Sequence, residues 1–466
     1  MISAVRMRLN VDSLRKFYMS DIYPIFICLL TAIGSISGLA FYFAMLHTVF
    51  IFFGLVLSRS IRPTVISLLT FVMQLSVKHS PCYPNNSDYY YTGWRLPAFI
   101  AICLTVFCGA VIFIIKNKTY KKISFTNTPM LMPLIILGAV FMANGLFSGK
   151  WVRGDLIFGF SNMVVYCLVF LLIYHGFTDE EDSRELSRYF AYISMLIGLI
   201  IIAELSALFI TSDSVIVDGA INKDAIALGW GIHNLVGVSL TVLIPAMFYG
   251  IHYNRYPWLY FAVATLTYVF AVLTMSRNAL LFASIAYVAC IIISCFKGNN
   301  KRTFRIITVV GFACIAFGAA VFYSKIYSLF KVFFDRGFSG MGRAKLWKHA
   351  IKNFLADPIF GGGFYGFDIE TDVFGPLAKQ AHNTILQLLS ATGIVGLLAY
   401  VYYRYESLKP VFLRPTMRKT FMAMSIGVLL LGSLLDNFVF NIYPVFHYTV
   451  ALVIIHKEDR EAINIE

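Results

Sequence analysis

The chain is poor in charge. Asp, Glu, Lys and Arg together make up 13% of its 466 residues, where a soluble domain carries about 25%. That shortage excludes a disordered chain, which charge keeps in solution. It also excludes a string of soluble domains, because hydrophobic residues reach 59% and the mean hydropathy is +0.75. Cysteine is nearly as scarce. Seven of the eight (Cys28, Cys103, Cys108, Cys167, Cys290, Cys295 and Cys314) lie in or beside apolar runs, and only Cys82 sits in a polar loop. No disulfide framework and no zinc spacing can be built from them. Acid is scarcer than base, with 24 Asp and Glu against 38 Lys and Arg, a net charge of +14. A cleavable leader is lacking as well: the apolar run after MISAVRMRLNVDSLRK is too long for one and has no small-residue cleavage site, so it is expected to stay as an anchor.

What remains is apolar sequence, and its lengths are informative. A helix crosses the ~30 Å hydrocarbon layer with about 20 residues. Fourteen runs approach that, at 22–36, 40–57, 62–77, 96–115, 129–147, 155–175, 189–211, 232–251, 258–275, 279–296, 306–324, 384–403, 420–435 and 444–455. The fold class is all-α: a polytopic membrane protein with about 12–14 transmembrane helices and one long outer loop. Ile22 to Leu57 carries no charge, and as one helix it would be ~54 Å long. A break near Gly34-Ser35-Ile36-Ser37-Gly38 makes it a hairpin. That choice puts most Lys and Arg on the side of the N-terminus and leaves only Lys78, Arg95, Lys150, Arg153, Lys223 and Arg277 in the opposite short loops. The positive-inside rule then places both termini in the cytoplasm. The basic excess therefore reports topology and no nucleic acid partner.

One outer segment, 325–381, is long. Its stretch GRAKLWKHAIKNFLADP is amphipathic, with Leu346, Trp347, Ala350, Ile351, Phe354 and Leu355 on one stripe, and is expected to lie on the outer leaflet surface. GGGFYG follows it, with neither a preceding strand nor the Lys-Ser/Thr of a nucleotide loop.

Polar groups at the mouths of spans are the candidates for chemistry, because membrane burial penalises them. Arg277, in the tight turn Ser276-Arg277-Asn278, is either a snorkelling loop cation or a two-pronged phosphate ligand. His382 and Asn383 open a span; they are either interfacial caps or a general base and its support. His233 and Asn234, after Trp230 and Lys223, repeat that arrangement, and interfacial anchoring explains them as well. Arg336, Arg343, Lys345, Lys348 and Lys352 would attract a diphosphate or simply form a solvated face. Glu204 and Asp436 are carboxylates able to pair with Arg277 or a histidine.

Three stretches taken together, LTMSRNALL, GRAKLWKHAIKNFLADPIFGGGFYGF and AHNTILQLLSATGIVGLL, resemble the O-antigen ligase and polysaccharide polymerase family of bacterial envelope enzymes, over roughly Gly229 to Tyr402. The resemblance implies a metal-independent glycosyltransferase without a cofactor, at the outer face of the bacterial inner membrane. Its donor would be a glycan on undecaprenyl diphosphate. Its acceptor would be another lipid-linked repeat unit for a polymerase, or lipid A-core for a ligase. Membrane lipids, a flippase and chain-length regulator proteins would be its surroundings. By position, Arg277 and His382 would be catalytic, with Arg343, Asn383, Arg336, Lys223, His233 and Asn234 binding substrate. The family usually has an outer arginine before GWGIHN; here the nearby cation is Lys223, which cannot make a two-pronged contact.

The implied organisation is a cytoplasmic N-terminus (1–21), N-terminal spans (22–228), the ligase-like region (229–403) with the outer loop, and C-terminal spans with a cytoplasmic tail (404–466). A polymerase is the first reading and a ligase the second. A transporter or flippase of lipid-linked sugars is the rival from another class, and it would want charges from many helices lining a central cavity. Here they gather at outer helix ends and in one loop.

Overall fold

The structure, a computed structural model, describes residues 2–75, 93–149, 151–178, 180–298, 301–335, 343–365, 369–371, 375–378 and 380–463. Arg336, Lys78, Lys150 and Cys82 fall outside these. The described chain is helical apart from three short antiparallel hairpins, at 216–221, 227–232 and 369–378. Each of the fourteen apolar stretches is largely helical over its described residues. Among the described residues, eight helices are long and apolar enough to span a membrane, or up to nine if the bent pair Val11–Met19 and Ile22–Ile36 makes one more. Arg62–Leu75, Leu131–Met142 and Pro257–Leu273 are apolar but shorter. Length and apolarity alone thus support fewer crossings than the fourteen read from sequence.

The chain divides into two compact units. The first comprises Met1–Ile123 and Leu172–Val332. It begins with α1 (Ile2–Met19), α2 (Ile22–Ile36), α3 (Ala40–Leu57), α4 (Arg62–Leu75) and α5 (Arg95–Lys116). The expected break between α2 and α3 is present: Gly38 takes φ +72, and Leu39 N–H returns to the Gly34 carbonyl at 2.9 Å. A left-handed residue costs glycine no steric strain, which is why the turn forms there.

The second unit comprises Ser124–Leu171 and Phe333–Glu466. It opens with α6 (Leu131–Met142) and α7 (Arg153–Met163), which continues through a π turn into α8 (Val169–Gly176) at the border of the two units.

The first unit resumes with α9 (Ser183–Thr211), α10 (His233–Tyr253), α11 (Pro257–Leu273), α12 (Arg277–Lys297), α13 (Lys301–Val321) and α14 (Tyr323–Asp335). Its centre is α10, 94% buried over its apolar window and packed on α9, α11 and α12. Glycines let these helices approach closely. A Cβ on Gly237 would stand 2.6 Å from Ala279 Cβ, and one on Gly250 would strike the Tyr260 ring. In lipid, where apolar surface has no drive to leave its solvent, such close packing is a main source of helix association.

The second unit ends with α15 (Arg343–Ala356), α16 (Thr384–Leu413), α17 (Met417–Gly432) and α18 (Ile442–Ile463). The amphipathic helix expected from sequence is α15, but its stripe divides. Leu346 and Ala350 are buried against Ala381, with Trp347 and Leu386 packed alongside, while Ile351 and Leu355 stay exposed. Its N-terminal half is therefore docked on protein rather than presented to a leaflet, because the start of α16 offers an apolar seat.

Helix α16 is broken at Gly393, whose φ of +63 no helix permits. Segment 358–363 fills the break. Ser390 and Ala391 carbonyls accept from Gly362 and Gly363, and Ile394 and Val395 donate to the Pro358 and Ile359 carbonyls, at 2.9–3.2 Å. Backbone groups that the break would leave unpaired in an apolar layer are thus satisfied, each being worth several kcal/mol there. Gly361 (φ +71) and Gly363 (φ +89) allow the approach. The loop's far side is clasped by Asp155, which accepts Tyr365 N–H at 2.7 Å, and by Asn144, which accepts Phe364 N–H at 3.2 Å. The glycine-rich GGGFYG is thus a backbone plug.

Candidate functional site

In the second unit, the plug brings the chain back to the start of α16, and there the polar residues converge. His382 takes φ +49, a left-handed conformation uncommon outside glycine. What holds it is a set of hydrogen bonds to the turn after α17. Asn383 Nδ2 donates to the Leu434 carbonyl at 2.9 Å, while its Oδ1 caps α16 by accepting Leu386 N–H at 3.0 Å. Thr384 N–H donates to the Ser433 carbonyl at 3.0 Å. Gln387 Oε1 accepts both Ala381 N–H at 2.7 Å and Asn437 Nδ2 at 3.2 Å, tying the two segments from below.

The result is one short contact: His382 Nδ1 lies 2.8 Å from Asp436 Oδ1. That oxygen also accepts Asn437 N–H at 2.8 Å. Burial by itself raises the Asp436 carboxyl, but the hydrogen bond and charge of His382, the Asn437 amide and the charge of Arg343 together hold it below its ordinary value. An ionised carboxylate can only accept, so Nδ1 carries a proton in either state of the ring, and Nε2 keeps its lone pair when the imidazole is neutral. Arg343 belongs to this group because it opens α15 one turn before Trp347, which packs against Ala381 and Leu386.

The first unit gathers the other candidates. Arg277 is the first residue of α12, half-buried, after a turn in which Met275 takes φ +56 and Ser276 Oγ caps the helix by accepting Ala279 N–H at 3.3 Å. The first-turn N–H groups of a helix and a guanidinium at the same end make an electropositive mouth suited to an anion. His233 and Asn234 open α10, and Gly237, one turn on, packs against Ser276 and Ala279. These residues therefore share one end of the unit with Arg277. Lys223 lies in a short 3-10 turn before them, Lys223–Ala225.

The two carboxylates left open by the sequence find different partners. Glu204 accepts the Trp230 indole N–H at 2.9 Å, and Asp436 takes His382. Gln387 and Asn437 were not singled out from sequence. Their only signal is a polar pair, Asp436-Asn437, directly after an apolar helix.

A histidine hydrogen-bonded to a buried carboxylate that also feels the charge of Arg343 is an arrangement able to serve as a general base. Residues 260–401 match the family model described as O-antigen ligase. That match supports membership of the O-antigen ligase and polymerase family, and it indicates a glycosyltransferase-like enzyme of O-antigen ligase type in a multi-pass membrane protein. No curated protein matches the chain. The matched stretch contains Arg277, Arg343, His382 and Asn383; Lys223, His233, Asn234 and Asp436 lie outside it.

Proposed function

We propose that the protein polymerises oligosaccharide repeat units carried on undecaprenyl diphosphate, at the outer face of the bacterial cytoplasmic membrane, with both termini inside. The observation that supports this reading is the His382–Asp436 pair with the charge of Arg343 acting on the same carboxylate. His382 Nε2 takes the proton of an acceptor sugar hydroxyl as its oxygen attacks the donor anomeric carbon. The bond from that carbon to the diphosphate oxygen breaks, and the electron pair leaves with undecaprenyl diphosphate. Asp436 keeps the tautomer and steadies the imidazolium that forms. Arg343 compensates the charge gathering on the leaving diphosphate, the task a metal performs in other transferases. Arg277 carries the same role from the family resemblance, and Asn383 holds His382 in place.

The test is a chromosomal deletion complemented with wild type, His382→Ala or Arg277→Ala, with surface glycan separated on a gel. A polymerase defect leaves single repeat units attached to the surface. A ligase defect leaves none attached while lipid-linked chains accumulate, and that pattern would replace the polymerase reading. Long attached chains from both variants would remove the site assignment altogether.

A further inference from the structure

Along α16 from His382, a second site is built into the same unit. Arg404 lies in the half of α16 beyond the break at Gly393. Its side chain is enclosed by four tyrosines, with the guanidinium carbon 4.5 Å from the Tyr400 ring centre, 4.8 Å from Tyr448, 5.0 Å from Tyr403 and 5.8 Å from Tyr166. Arg404 is only 9% exposed. Its one well-defined hydrogen bond is a long 3.4 Å contact from Nη2 to the Tyr166 hydroxyl, and Nε and Nη1 meet no acceptor. Among the described residues no carboxylate pairs with it. A buried cation with two unused donors is costly, and aromatic faces recover only part of what water would supply.

Arg404 also lines a groove of about 560 Å³ between α16 and α17, within the ~300–1,000 Å³ typical of ligand sites. The walls are apolar side chains such as Leu397, Val401, Leu408, Leu430 and Leu431; the other charged lining residue is Lys409, which also meets Glu406 at 3.4 Å. An apolar channel lined by a guanidinium with two unused donors is complementary to an amphiphile with a negative head. Basic pockets between membrane helices take up phosphate headgroups for this reason.

We infer that the groove between α16 and α17 binds an anionic glycerophospholipid, its phosphate on Arg404 and Lys409 and an acyl chain along the apolar walls. The groove also reaches Thr384, Ile385 and Leu434 at the start of α16, so the glycerophospholipid is distinguished from a polyprenyl-linked donor by the titration below, and the inference stands without the proposed reaction.

The full chain, purified in detergent, is titrated with phosphatidylglycerol, phosphatidylcholine or a polyprenyl phosphate, and adducts are read by native mass spectrometry. The expected result is preferential retention of phosphatidylglycerol. Arg404→Gln should weaken it roughly tenfold, the scale of a lost charge-assisted hydrogen bond. Val401→Trp, which obstructs the groove and leaves the tyrosine cage intact, should do the same if Arg404→Gln fails to fold. Equal retention of both glycerophospholipids, stronger retention of the polyprenyl phosphate, or an unchanged adduct in Val401→Trp would each overturn the assignment.

Discussion

The carboxylate of Asp436 stands 2.8 Å from Nδ1 of His382, fifty-four residues earlier in the chain, and both are anchored by Gln387 and its neighbours. The pair is assembled by tertiary structure and makes the first prediction direct. Asp436→Asn keeps the shape and reverses the preferred tautomer, since an amide can donate to Nδ1. Transfer by the variant should fall about 10²–10⁴-fold, the usual range for losing a general base. In isolated membranes supplied with lipid-linked repeat units, a fall in kcat with KM little changed is the expected pattern.

Acid should act through the same group. Asp436 is held below its ordinary value of 3.8, so its interactions stabilise the fold fully above that value. They are lost as the pH falls through the lower, folded value. Thermal unfolding in detergent should show a steeper loss on the acid side for the wild type than for Asp436→Asn.

Gln387 tests whether positioning matters apart from chemistry. Gln387→Leu removes the acceptor shared by Ala381 N–H and Asn437 Nδ2. Leaving such groups unpaired costs about 1–3 kcal/mol. A drop in kcat, with the protein still eluting as a folded species and KM unmoved, is the outcome expected of a residue that acts through His382.

The glycine plug gives a stability prediction. Gly393→Ala would place a Cβ against the Ile359 carbonyl, on a backbone at φ +63. The backbone term alone is about 1–2 kcal/mol, and the clash adds to it. Gly427→Ala, inside α17 where a Cβ meets nothing within 4 Å, is the matched control and should hold or raise the melting temperature.

Arg277 is best tested by its shape. If two-pronged phosphate contact is its role, Arg277→Lys should behave nearly as badly as Arg277→Ala in transfer assays, since lysine keeps the charge and loses the fork. A lysine variant close to wild type would reduce Arg277 to a general positive charge.

The class of fold was legible because apolar length and charge placement follow directly from the bilayer. Helix boundaries within a few residues, the α2–α3 hairpin and the turn before Arg277 all came from counting. The division of the α15 stripe was not legible, because 3.6-residue periodicity says which side is apolar and nothing about what covers it. Nor was the meaning of GGGFYG: its glycines pair with a break in a helix some thirty residues on, and no local pattern announces a distant partner. His382 stood out as a titratable group at a helix start. Asp436 was visible only as one carboxylate among possible partners, and Gln387 looked like an ordinary polar residue in a span.

The break at Gly393 has a mechanical consequence. The two halves of α16 are not one rod, since the segment bearing His382 is stitched through Ser390 and Ala391 to residues 362–363. The plug also accepts the N–H groups of Ile394 and Val395, so it is the joint between the two halves. Strain in α15 or the plug is shared between the imidazole end and the half held near Tyr403 and Ser407 by Tyr448.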